Sequence, residues 1–259
     1  MNYGLYLSAS GVLTNMYRQD VFANNLANAQ TAAFKPDIPA IRQRHPEAVE
    51  DRFGGDVSHR LLEKLGGGVL AGPQRINFAS ARLEKTGNPL DVALTEEHQF
   101  FAVQVQNPRN GAMETQLTRD GRFTRNSQGE LVTAAGHRVL DANDQPIVVP
   151  GEAAVQIDPA GRVLQYGGEV AQLQVAHVGD TDQLLKRGGN RFAFNNGDTR
   201  QLVANPSVQA GFIEASGVDP IQGLMQMIAA TKAVSGNGEM IRYHDRLMDQ
   251  AVNTLGRVA

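Results

Sequence analysis

The chain of 259 residues contains no cysteine. Disulfides and thiolate metal sites are therefore excluded, and the fold is indifferent to redox compartment. Tryptophan is also absent and aromatics make up only 6% of the residues, so the core is expected to be aliphatic. No stretch approaches the ~18 consecutive apolar residues that a membrane-spanning helix needs. Neither sign of charge dominates: the net charge is -3 with 20% charged residues. A nucleic-acid or membrane surface needs a concentrated basic footprint, which this balance does not supply. The first residues, Met1-Asn2-Tyr3-Gly4-Leu5-Tyr6-Leu7, lack the positive start and long apolar run of a cleavable secretory signal. They fit a cytoplasmic protein, or one exported by a route that removes no peptide. The length suits one large or two modest domains.

What is present is organised by its ends. Residues 3–30 carry a helical period, with Leu5, Ala9, Val12, Met16, Ala23 and Leu26 on alternating steps of four and three and Gln19 in the remaining slot. Asn24, Asn25 and Asn28 are poor helix-interior residues but good cap and turn residues, so the helix should end near them, with their side chains bonding local backbone. Helical period returns over residues 219–258, where Met227, Val234, Ile241, Met248 and Leu255 recur every seventh position. Asp219-Pro220 supplies an N-cap followed by proline in the first turn. Gly236 and Gly238 mark either a break in that helix or a close helix contact.

Between the ends the pattern is β. Pro36, Pro39 and Pro46 break any early helix, although Ser58–Leu65 has the makings of a short one. From Val69 to about Pro206, short alternating runs such as Leu90–Leu94 and Phe100–Val105 are separated by turns at 126–129, 141–144, 158–161 and 195–198. With no helices between the hairpins, an antiparallel body follows. The expected class is α+β: an antiparallel β-rich central domain with N- and C-terminal helices pairing in a coiled-coil-like region. The expected domains are 1–35 with 215–259 as the helical region, 36–69 as an irregular connector, and 70–214 as the β domain.

Chemistry-bearing motifs are few. The six histidines form no pair at helical ligand spacing. Gly66-Gly67-Gly68-Val69-Leu70-Ala71 follows a helix-like run and precedes a strand, the reverse of a dinucleotide-binding turn. There is no phosphate loop, and Ser58 and Ser80 sit in no nucleophile elbow. Asp141–Asp144 lacks the central glycine and terminal glutamate of a calcium loop. No catalytic, cofactor-binding or metal-binding residues are assigned.

Four blocks together resemble one family. Asn24-Asn25-Leu26-Ala27-Asn28 with Thr31, Phe34 and Lys35 resembles the N-terminal signature of flagellar rod and hook proteins. Thr86–Leu94 with Phe100-Phe101 looks like the opening of their β domain, and Thr118-Arg119-Asp120-Gly121-Arg122-Phe123 begins a block similar to the next. Gly211–Pro220 resembles the lead into their C-terminal helix. Three places depart from the pattern. Ala33 stands where glycine is usual, Glu96-Glu97-His98-Gln99 replaces a glycine-rich turn, and Val234–Gly238 replaces an aromatic and helix formers.

The resemblance is to the flagellar basal-body rod family, FlgF/FlgG class, related to hook proteins. It implies a non-enzymatic subunit without cofactor that polymerises helically into the rod joining motor to hook. The implied partners are copies of itself and other rod proteins, with hook and ring proteins as further candidates. Nucleic acid, membrane insertion and a small-molecule substrate are not implied. The implied location is the periplasmic rod, reached without a cleaved signal peptide. Leu5, Val12, Met16, Asn24, Asn25, Leu26 and Asn28 on one helical segment, with Ile228, Ile241, Met248 and Leu255 on the other, are the expected assembly residues. A soluble β-domain binding module that dimerises through its terminal helices is the alternative. A hydrolase would need converging titratable residues, which the sequence does not display.

Overall fold

The computed structural model describes residues 3–45, 66–107, 111–151, 153–195 and 197–255. The segment 58–65, where a short helix is expected, lies outside the described residues, as does the side chain of Leu255. The chain divides into two units. One comprises Met1–Ala27, Asp37–Arg75 and Asp219–Ala259; the other comprises Asn28–Pro36 and Ile76–Val218. The elements are an N-terminal helix, a long C-terminal helix and, between them, mostly antiparallel strands.

The first unit is built on helices α1 (Tyr3–Ala27) and α2 (Pro220–Gln250). Asp219 starts α2 as expected: its carboxylate accepts from Ile221 N at 2.9 Å and Gln222 N at 3.2 Å. The helices run antiparallel. A Cβ built on Gly4 would lie 2.7 Å from the His244 ring, and one on Gly11 would lie 2.8 Å from the Asn237 amide. Seven residues forward on α1 is thus seven residues back on α2. The covered face of α2 is the stripe Gly223, Met227, Ala230, Val234, Asn237, Ile241, His244 and Met248, at steps of four and three. The strands Ile41–Gln43 and Val69–Ala71 pair antiparallel. They are tied to α1 because Ser10 Oγ accepts from Val69 N and Thr14 Oγ1 donates to Val69 O, both at 3.4 Å.

Helix α2 runs unbroken through Gly236 and Gly238. A Cβ at either position would meet nothing within 4 Å, so neither glycine is required for packing. Each weakens the helix by up to about 1 kcal/mol relative to alanine. Gly236→Ala and Gly238→Ala should therefore each raise stability by about 0.5–1 kcal/mol, read from denaturant unfolding of the purified chain. A loss of stability in either would show that the backbone there needs glycine.

In the second unit, strand Gln99–Gln106 is the hub. On one side it pairs with Met113–Thr118; on the other it pairs with Arg138–Val139 and Val175–His177. The sheet continues outward through Arg191–Phe194 to Leu184–Gly188 at one edge. It continues through Leu131–Thr133 to Phe123–Arg125 at the other. A three-stranded meander covers Val155–Gln172, and the strand Val92–Leu94 pairs with Val208–Ala210. Two apolar clusters fill this unit. One gathers Val92, Phe101, Phe123, Leu131, Ile147 and Val163 with others; the second centres on Phe78, Phe100, Leu117 and Phe192. The core is not purely aliphatic as expected. Phe78, Phe100 and Phe192 meet edge to face, with centroids 5.1–5.8 Å apart. A small number of aromatics suffices because each buries so much area and they are concentrated inside.

Candidate assembly surface and buried charge node

The face of α2 turned away from α1 is open and carries two apolar patches. Ile221 (73% exposed), Leu224, Met225 (65%) and Ile228 (46%) form one patch, and Met240, Tyr243 and Leu247 form another. On α1, Leu13 and Met16 are exposed as well, at 69% and 48%. Contiguous exposed apolar surface of this kind marks a protein–protein contact. The seven-residue period read from the sequence, Met227, Val234, Ile241 and Met248, lies on the stripe that covers α1 within the same chain. The exposed residues form a second, separate set that is left to solvent.

The expected assembly residues fall into three groups. Leu5, Met16 and Ile228 are exposed. Val12, Leu26, Ile241 and Met248 are half-buried, and Asn24 is exposed. Asn25 is buried: its side-chain amide donates to Asp37 O at 2.8 Å and its carbonyl accepts from Asp37 N at 2.9 Å. It clamps the chain after α1, through backbone twelve residues on rather than the local backbone its residue type favours. Asn28 belongs to the other unit, where its side chain accepts from Thr31 Oγ1 and its backbone carbonyl accepts from Ser216 Oγ.

In the β unit, three charges distant in sequence meet in one buried node. The Lys35 ammonium lies 2.7 Å from Glu214 Oε1, and Arg119 Nε lies 2.8 Å from Glu214 Oε2; all three side chains are 1% exposed. Lys35 also donates to Ala79 O, Ala81 N donates to Glu214 Oε1, and Arg119 Nη1 donates to Glu96 O and Gln99 O. Burial opposes ionisation of Glu214, but Arg119, Lys35 and the Ala81 N–H outweigh it and hold its carboxyl below the ordinary 4.5. Burial, helped by the like charge of Arg119, pushes Lys35 below its ordinary value despite Glu214. The directions differ because one carboxylate serves two cations: Glu214 gains from both, while the cations share it.

Lys35, Arg119 and Glu214 come from three of the blocks that resemble the rod and hook family. A charged residue inside an otherwise apolar block, as in Phe34-Lys35 or Phe212-Ile213-Glu214, was the available signal. It gave no indication that the three would meet.

Elsewhere in this unit, His98 and His177, remote in sequence, have ring centroids 6.4 Å apart. Among the described residues no group of three or more histidine, aspartate or glutamate side chains converges on a metal-sized site. Asp120 is committed to Arg122, at 2.9 and 2.7 Å.

Comparison with known proteins agrees with this picture. The model for the D1 domain of the flagellar hook protein FlgE/F/G matches residues 98–165. The model for the C-terminal region of flagellar basal body rod FlgEFG proteins matches residues 209–254, which holds Glu214 and the whole of α2. The flagellar basal-body rod protein FlgF of Caulobacter vibrioides is 29% identical over 259 residues, spanning the whole of both chains. FlgF of Rhizobium meliloti is also 29% identical, over 99% of each chain. FlgG of Bacillus subtilis is 26% identical over 96% of this chain and 97% of its own. With matches that run end to end, the chain is similar over its whole length to the flagellar basal-body rod proteins of the FlgF/FlgG class, a family of structural components rather than enzymes.

Proposed function

We propose that this chain is an axial subunit of the bacterial flagellar rod, polymerising helically through its terminal helices and passing torque from motor to hook. The observation that carries the reading is the pair of exposed apolar patches on α2, Ile221 to Ile228 and Met240 to Leu247. Helix α1 already covers the opposite stripe, so the exposed one is free for neighbouring copies. Two helices offering one coiled-coil-like unit give each subunit a repeated contact, and a repeated heterologous contact builds a helical polymer. The partners are other copies and other rod proteins, in the periplasmic stretch of the basal body. The β body has its own core.

The test is direct. Basal bodies purified from cells making a labelled chain should carry the label in the rod, between the motor rings and the hook, when imaged. Label found only in the soluble fraction, in motile cells with complete rods, would overturn the proposal.

A further inference from the structure

We infer that the Lys35–Glu214–Arg119 node is a conformational latch that fixes one path for the segment Asn28–Pro36 on the β body, rather than a source of stability. Glu214 ties distant parts of the chain at one residue. Its Oε1 accepts from Lys35 Nζ and Ala81 N, its Oε2 accepts from Arg119 Nε, and its backbone carbonyl accepts from Ala33 N at 2.8 Å. The charges are uneven, two cations to one carboxylate, and Arg119 Nη2 has no hydrogen-bond partner among the described residues. Removing such a cluster from water is costly, and apolar side chains of similar volume commonly hold a fold at least as well. Its worth therefore lies in what it forbids.

The segment it holds is strained. Ala33 has φ 56°, a left-handed conformation in which a methyl group is disfavoured. Such a conformation persists only where its surroundings impose it. Three neighbouring hydrogen bonds reach backbone carbonyls: Asn190 Nδ2 donates to Ala32 O, Lys186 Nζ donates to Lys35 O, and Gly217 N donates to Phe34 O. Carbonyls recur at every residue, so these bonds do not fix which residue sits where. The Lys35 ion pair does, beside the contact of Lys186 Nζ with the Phe34 ring, 4.4 Å from its centroid. A slip by one residue would bring the Phe34 ring to the Glu214 carboxylate and leave the Lys35 ammonium buried without its partner. Lys35 thus acts as a positioning residue that makes the shifted path expensive.

The experiment compares the triple apolar variant Lys35→Met, Arg119→Met, Glu214→Leu, and the single variant Lys35→Met, with the unaltered full chain. Thermal unfolding is measured together with amide hydrogen exchange. The expected result is a triple variant that unfolds at or above the original temperature. Its Ala33, Phe34 and Gly217 amides should exchange roughly tenfold faster or more, while strand Gln99–Gln106 stays as protected as before. Lys35→Met keeps a balanced Arg119–Glu214 pair and should show the same selective loss. Unchanged protection at Ala33 and Phe34 in both variants would overturn the latch. So would a triple variant that fails to fold or loses protection evenly across the body, because the node would then be a stability element.

Discussion

Replacing Glu214 by alanine should remove about 3–5 kcal/mol of stability at neutral pH, the usual cost of leaving buried charge uncompensated. The carboxylate is 1% exposed, so solvent screens little of its interaction with Lys35 and Arg119. Its loss strands two cations in a dry site. The pH dependence follows from the direction of the Glu214 shift. Its folded-state pKa lies below the ordinary 4.5, so its contribution is fully present above that value and is lost as pH falls through the folded value. The gap between the original chain and Glu214→Ala should therefore be widest near pH 7 and close in acid, where protonation does to the original chain what the substitution does permanently. Denaturant unfolding at a series of pH values measures both. A difference below about 1 kcal/mol at pH 7, or a gap that does not narrow in acid, would show that the node is wetter and weaker than its geometry implies.

The second large effect is expected on assembly with little effect on folding. Met225→Asp together with Ile228→Asp places two carboxylates on the exposed stripe of α2, where the native residues are 65% and 46% exposed. In the free subunit these are surface changes, worth about 0.5 kcal/mol each plus a few tenths for helix propensity. At a subunit contact they become unpaired charges in an apolar interface, at several kcal/mol each if the contact is dry. Because the contact repeats in every subunit, the polymer should fail: incorporation into rods and swimming should be lost while the unfolding midpoint of the purified chain moves little. Normal motility would place the assembly contact elsewhere on the molecule.

Much of the fold was legible. Asp219-Pro220 announced the start of α2 because a side chain that caps and a ring that fixes φ act locally. The turns at 126–129 and 158–161 were legible for the same reason, as Asn126 Oδ1 accepts from Gln128 N and Asp158 Oδ1 accepts from Ala160 N. Asn25 is expected to bond local backbone, and it bonds backbone twelve residues further on, at Asp37, which only the folded path of the chain brings near. Gly236 and Gly238 left a break in α2 open, and the helix continues because packing of its covered stripe outweighs two weak residues.

The sequence by itself determined the α+β class, the antiparallel body and the helical ends, since each rests on local chemistry or on periodicity along the chain; the likeness to rod proteins rests on the four blocks that resemble theirs. Tertiary structure alone decided which stripe of α2 faces α1 and which is left exposed. A seven-residue repeat states that a face is apolar without naming what covers it. Tertiary structure also brought Lys35, Arg119 and Glu214, as many as 179 positions apart, onto one carboxylate. Burial is a property of the folded chain, and a lone lysine, arginine or glutamate in sequence looks the same whether it meets water or an ion pair.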